Sequence, residues 1–359
     1  MNPAALIPTA DTLTAHWGWF QFLLMLTFPL HLFAMNAMLG TALAAGIAHL
    51  VPGRPSRELS HELAKALPFL VAFTVNLGVA PLLFVNVIYG HLLYSSTVMM
   101  GLFWLAVVPL LIAAYYLAYI YDFSFKKLGN LAVFAILAVL ILLMLVGFIF
   151  TNNMTLMISP ASWLRWFTTS GGTLLNLDDP TLLARYLHMM TGSLAVGGLF
   201  VALYSSVVLK RDQKVSAIGV RLGMQLFTWL TAMQLLVGTW FLVTLPTEIM
   251  KRFMGGNAGA TALLGVGILL AVASLITGYR RQVMATLWLT LPLVYVMSFM
   301  RDSLRTGYLA PFFDMTTVPA TTQWSPLILF LITLVFGLVL IVWMLLQLPA
   351  LKNSSQNRP

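Results

Sequence analysis

The chain has 359 residues, of which 60% are hydrophobic and 8% charged, with a formal net charge of +9 and no cysteine. Soluble domains carry about a quarter of their residues as Asp, Glu, Lys and Arg, so a soluble globular protein is excluded, and the apolar content excludes intrinsic disorder. Without Cys there are no disulfides, thiolate zinc sites, thiolate-bound iron–sulfur clusters or covalently attached c-type haem.

About 20 apolar residues span a bilayer as a helix. Nine such runs occur, near 17–49, 66–94, 96–121, 130–151, 184–209, 217–244, 260–278, 282–300 and 325–349. They predict an all-α, polytopic membrane helix bundle that occupies 1–359 as a single transmembrane domain. The first run lacks a basic leader and is too long for a signal segment, so it is expected to be retained. The longest connections are 152–183 and 301–324. With the N-terminus outside, thirteen Lys and Arg fall on the inner side, Lys352 and Arg358 among them. Six fall outside (Arg165, Arg185, Lys251, Arg252, Arg301 and Arg305), which accounts for all 19. Inner loops carry the excess of basic residues, so the N-terminus is expected outside and the C-terminus inside a bacterial cytoplasmic membrane. The net charge thus reflects topology, and nucleic acid is not an expected partner.

In chain order, His16 stands at the outer mouth of the first helix, and His31 lies 15 residues deeper, roughly 22 Å along the axis. His91 follows Tyr89 and Gly90 near the outer end of the second helix. His188 opens the fifth helix in Leu-His-Met-Met-Thr-Gly. A histidine inside a span is costly without a partner. An interhelical hydrogen bond supplies one, and haem iron, which accepts His/His or His/Met pairs, supplies another. Met254 lies in Lys-Arg-Phe-Met-Gly-Gly beside Arg252, which is suited to a haem propionate. No acid falls in the middle of a span, which argues against an ion-coupled pump or transporter.

These segments resemble subunit I of the cytochrome bd quinol oxidases from the first helix to about residue 312. The segment Gln21-Phe-Leu-Leu-Met-Leu-Thr-Phe-Pro-Leu-His31 with Gly40 resembles the family segment that carries a haem-ligand His. Asn76-Leu-Gly-Val-Ala80 is similar to its second-helix segment, and Asn152, Asn153 and Pro160 to a turn after its fourth helix. His188 and Met254 fall where the family has the axial pair of its low-spin haem b, with Arg252 in its Arg-x-Met-x-Gly segment. Asp302 stands where a haem-ligating Glu does, and Arg305 where an Arg follows it. The resemblance implies one to three haem b groups, with quinol or quinone as substrate.

Two features depart from that family. The stretch Phe84–His91 and the third helix before Asp122 lack the acids of its oxygen-reducing side. Residues 245–259 are a short connection where the family has a long quinol-binding loop, leaving Glu248 and Lys251 as the nearby polar groups. Quinol oxidation releases protons and needs an acceptor in contact with water, and Glu248 is the expected one. The expected function is a haem b membrane subunit that exchanges electrons between the quinone pool and an outer-side redox partner such as a cytochrome c. That partner is expected over 152–183 and 301–324, anchored by Trp163, Trp166, Phe312 and Phe313. The alternatives are a divergent oxidase that still reduces oxygen and a non-redox membrane anchor or transporter.

Overall fold

The computed structural model describes residues 3–169 and 171–356, so Arg358 lies outside the described residues. Among these, nine helices are long and apolar enough to cross a membrane. They are α1 (Trp17–Leu50), α2 (Arg54–Met99), α3 (Gly101–Phe123), α4 (Ala132–Met157), α5 (Leu182–Val207), α6 (Gln213–Thr244), α7 (Ala258–Tyr279), α8 (Val283–Leu309) and α9 (Trp324–Gln356). Two-sided apolar sequence explains why each is helical, since inside a bilayer only a helix or a closed barrel satisfies its own backbone.

Contacts between loops fix which ends lie together. Leu13, ahead of α1, donates its N–H to Pro319 O at 2.9 Å, and Thr321 N–H returns to Leu13 O at 2.8 Å. The α2–α3 junction meets the connection after α4 through Leu102 N–H to Gly172 O (3.0 Å) and Leu174 N–H to Met99 O (3.1 Å). Eight helices separate Leu13 from Thr321, and two separate Met99 from Leu174, so both contacts require even numbers of crossings and both are met. At the other face, His49 donates from Nε2 to Gly129 O (3.1 Å), and Arg57 reaches Asn130 Oδ1 (2.9 Å). The basic residues 54, 57, 126 and 127 gather on that second face, which the charge rule assigns to the inside.

Small residues set the central packing. A Cβ built on Gly40 of α1 would lie 2.3 Å from Gly197 Cα of α5, so the two backbones touch where both lack side chains. Small residues allow such close approach of membrane helices. The inner half of the core gathers Ala44, Ala45 and Ala48 against Leu59, Leu63, Tyr121 and Ile136. The outer half gathers Leu24, Ile88, Tyr89, Leu92, Trp163 and Leu309. By contrast, the apolar window of α9 buries none of its residues against the other helices.

Several helices run past their expected ends, α2, α4 and α8 with consequences for the interior. α2 has 46 residues, roughly 69 Å long, and its charged first turns project beyond the apolar span while its apolar face packs on α1. Its regularity breaks at Tyr89 (φ −117°, ψ 24°). α4 continues to Met157, so Asn152 and Asn153 are fully buried helix residues where a turn was expected. α8 continues to Leu309, which brings Arg301, Asp302 and Arg305 into the helix and out of the expected loop. In α4 and α8 polar residues mimic a span end in the sequence, but partners on other segments hold them inside.

Candidate functional site

The polar interior lies at the outer end of the bundle, between α1, α2, α5, α6 and α8. His31 leans from α1 onto α2, where its Nδ1 is 3.0 Å from Thr74 O. A carbonyl oxygen only accepts, so Nδ1 carries the hydrogen and Nε2 keeps its lone pair. Gly78 makes room for the ring, since a Cβ there would lie 2.8 Å from His31 Cε1. That is the tautomer and second-shell bond of a metal-ligating imidazole. One turn outward on the same face of α1, the Phe28 ring lies 4.3 Å beneath the Arg301 guanidinium.

His188 is placed differently. It leans from α5 onto α6, where a Cβ on Gly238 would lie 3.1 Å from its Cε1, and its ring centroid is 5.7 Å from that of Phe241. The Gln234 amide nitrogen sits 2.8 Å from His188 O and 3.0 Å from Nδ1. The group that donates to the helix carbonyl is the NH2, so Nδ1 accepts and the ring hydrogen is on Nε2. Ligation of iron through Nε2 therefore requires His188 to change tautomer. One turn outward on α5 lies Arg185, its guanidinium 5.1 Å over Phe241 and 5.8 Å over Tyr308.

The other expected ligands scatter. Met254 lies in an irregular turn (φ −113° at Met254, +105° at Gly255) with 63% of its surface exposed, and it is not brought to His188. Arg252 next to it packs on α8, donating from Nε to Ser303 Oγ at 3.2 Å. His16 caps α1, its Nδ1 accepting from Gly18 N–H at 3.1 Å, which explains its position without a ligand. His91 is half-buried against Phe313, with ring centroids 4.7 Å apart. Glu248 is exposed and pairs with Lys251 at 3.2 Å.

Asp302 and Arg305 form an ion pair one turn apart on α8, and Gln21 Nε2 donates to the second Asp302 oxygen at 2.7 Å. Arg305 also stacks 4.4 Å over Tyr89, at the break in α2. With both its oxygens engaged, Asp302 is the partner of Arg305 and Gln21. Leu24, Met25, Phe28 and Val85 close the space around Arg301, Asp302 and Arg305, leaving about 10 Å3. That is room for one water, so a larger ligand enters by moving side chains, of which Met25 is the most adaptable.

In the outer connections, Trp163 is a core residue. It is fully buried and its indole N–H donates to Leu156 O at 2.9 Å, so it is no docking anchor. Phe313 packs inward on Tyr89 and His91, while Trp166 is half-buried. Asp314, in the turn before α9, is held below the usual carboxylate range by the Thr316 N–H and hydroxyl.

Sequence reading passed over Arg185 and Arg301. For Arg185 the signal was its place three residues before His188, one turn away on the same face. A groove of about 700 Å3 at the inner end, lined by His49, Arg54, Arg57, Asn130 and apolar residues including Phe134, also went unseen because its walls come from two stretches far apart in the chain, 49–57 and 130–134. Compared with models of known protein families and with curated protein sequences, the chain matches none.

Proposed function

We propose that this protein is a haem b membrane subunit of an electron-transfer complex, exchanging electrons between the quinol pool and a redox protein at the outer face of a bacterial cytoplasmic membrane. His31 carries the proposal: its hydrogen is committed to Thr74 O, Nε2 is free, and the half-buried Arg301 guanidinium lies on Phe28 one turn outward. The absence of Cys supports b-type over c-type haem. When bound, haem supplies reversible one-electron transfer, and His31 would hold its iron, with Arg301 and Arg305 suited to its acid groups. His188 is the next candidate, by way of the tautomer change that Gln234 now opposes.

Quinol oxidation delivers two electrons and two protons. Glu248 is in contact with water and beside Lys251, which suits a proton acceptor at the outer surface. The scarcity of interior carboxylates favours electron transfer over oxygen reduction, because a buried oxygen site needs a proton route. Among the acids, Asp302 is the one packed deep between helices, and it is occupied by Arg305 and Gln21.

The direct test is His31→Ala in the full chain. The variant is expected to insert and to lose haem b absorbance. Haem content equal to that of the parent chain would return His31 to a hydrogen-bonding role between α1 and α2.

A further inference from the structure

Three guanidinium groups are packed into the outer interior, and their charges are incompletely answered. Arg185 and Arg305 are each 8% exposed, and the Nε of each has no hydrogen-bond partner. Arg305 has Asp302. Arg185 has a long contact to Thr181 Oγ1 at 3.4 Å and faces the Tyr308 hydroxyl, besides resting on its two rings. Arg301 has no ion pair or guanidinium hydrogen bond among the described residues and rests on Phe28. The charges of Arg185 and Arg305 both act on Arg301. Asp179 acts on Arg185 from beyond ion-pair distance, while its Oδ1 accepts from both the Thr181 N–H and hydroxyl at 2.7 Å each and its Oδ2 from Asn176 Nδ2 at 3.3 Å.

Unpaired buried cations are expensive in any apolar setting, and most of all within a membrane. Simple helix packing offers no reason to place three in one region. A guanidinium on an aromatic face can present its edge to a bidentate acid; Arg185, Arg301 and Arg305 all rest on such faces, and Arg305 shares its edge with Asp302. Arg185 comes from α5 and the other two from α8, so a ligand between them would join the two helices.

We propose that Arg185, Arg301 and Arg305 form a binding site for a doubly acidic group, either paired carboxylates on an amphiphile or a phosphate. The site is defined by these side chains and does not depend on iron ligation, although a haem held by His31 would present acids of this kind. Tyr308, beneath Arg185, and Tyr89, beneath Arg305, form its aromatic floor.

Metal-free protoporphyrin IX tests the site apart from any iron ligand. The full chain in detergent would be titrated with this diacid and with its dimethyl ester, following porphyrin fluorescence, and then with inorganic phosphate as competitor. The diacid is expected to bind at least about ten-fold more tightly than the ester. Arg301→Gln and Arg185→Gln should each weaken the diacid about ten-fold and leave the ester unchanged. His31→Ala should change neither, so failure of the haem reading would not move this ratio. Displacement of the diacid by phosphate, lost in Arg301→Gln, would support the site with a phosphate as occupant. Discrimination without any phosphate effect would support it with paired carboxylates. Equal binding of diacid and ester together with no effect of phosphate would overturn the proposal. Should a glutamine variant fail to insert, the diacid-to-ester ratio of the parent chain decides alone.

Discussion

His31 and Thr74 are joined across α1 and α2 by a 3.0 Å hydrogen bond that fixes which imidazole nitrogen is free. The bond exists because Gly78, one turn along α2, leaves space for the ring. Gly78→Val should therefore act on His31 without touching its chemistry. The added side chain forces the ring away, breaks the bond to Thr74 O, and is expected to reduce haem content while the protein still inserts. Overpacking of this kind costs about 1–3 kcal/mol. Full haem content with a normal melting temperature in Gly78→Val would show that the ring position does not matter.

Gln234 holds His188 by two contacts from one amide nitrogen. Gln234→Leu removes both and leaves buried acceptors unpaired, a loss of about 1–3 kcal/mol. Thermal unfolding in detergent should shift down accordingly, with haem absorbance retained. Because Gln234 opposes the ligating tautomer, a rise in haem content in this variant would place His188 among the iron ligands.

Met254 and Trp163 should behave in opposite ways. Met254 is 63% exposed, so Met254→Ala is expected to change stability by no more than about 0.5 kcal/mol and to keep the haem spectrum. Trp163 is fully buried, so Trp163→Ala should cost about 3–5 kcal/mol. A spectrum altered in Met254→Ala would mean that its turn closes on the haem. A stable Trp163→Ala protein that merely lost a partner subunit would restore Trp163 as an anchor.

Gly40 and Gly197 test the packing that holds the site. A Cβ at either meets the other's backbone at 2.5 Å or less. Backbone cannot rotate away as a side chain can, so Gly40→Leu should separate α1 from α5 and lower the unfolding temperature more than Gly265→Leu on α7, where a Cβ meets open space. Equal melting of the two variants would contradict the close contact.

The number of spans was legible because hydropathy needs no knowledge of partners. Span ends were less so. Gln21 and Asp302 are 281 positions apart, and nothing local to Arg301–Arg305 announces that Asp302 has a buried donor waiting on α1. Asn152 and Asn153 misled in the same way, their side-chain oxygens answered by Asn176 and Ser96 from other segments. Trp163 matched the belt of aromatic residues common at membrane surfaces, yet its indole partner is a carbonyl only seven residues back. His31 was legible as an unusual residue, but its tautomer required Thr74 O. Arg185 was within reach of helical periodicity, and its importance emerges only with Arg301 beside it.

Binding of haem b by this chain can be read from its absorbance. The most direct measurement is a reduced-minus-oxidised spectrum of the purified full chain with a pyridine haemochrome assay on the same sample. A b-type α-band is expected, generated by quinol and discharged faster by an outer-side electron acceptor than by oxygen. A purified, folded chain with no haem absorbance would contradict it, and His31 and His188 would then stand as hydrogen-bonding residues of a membrane protein without redox chemistry.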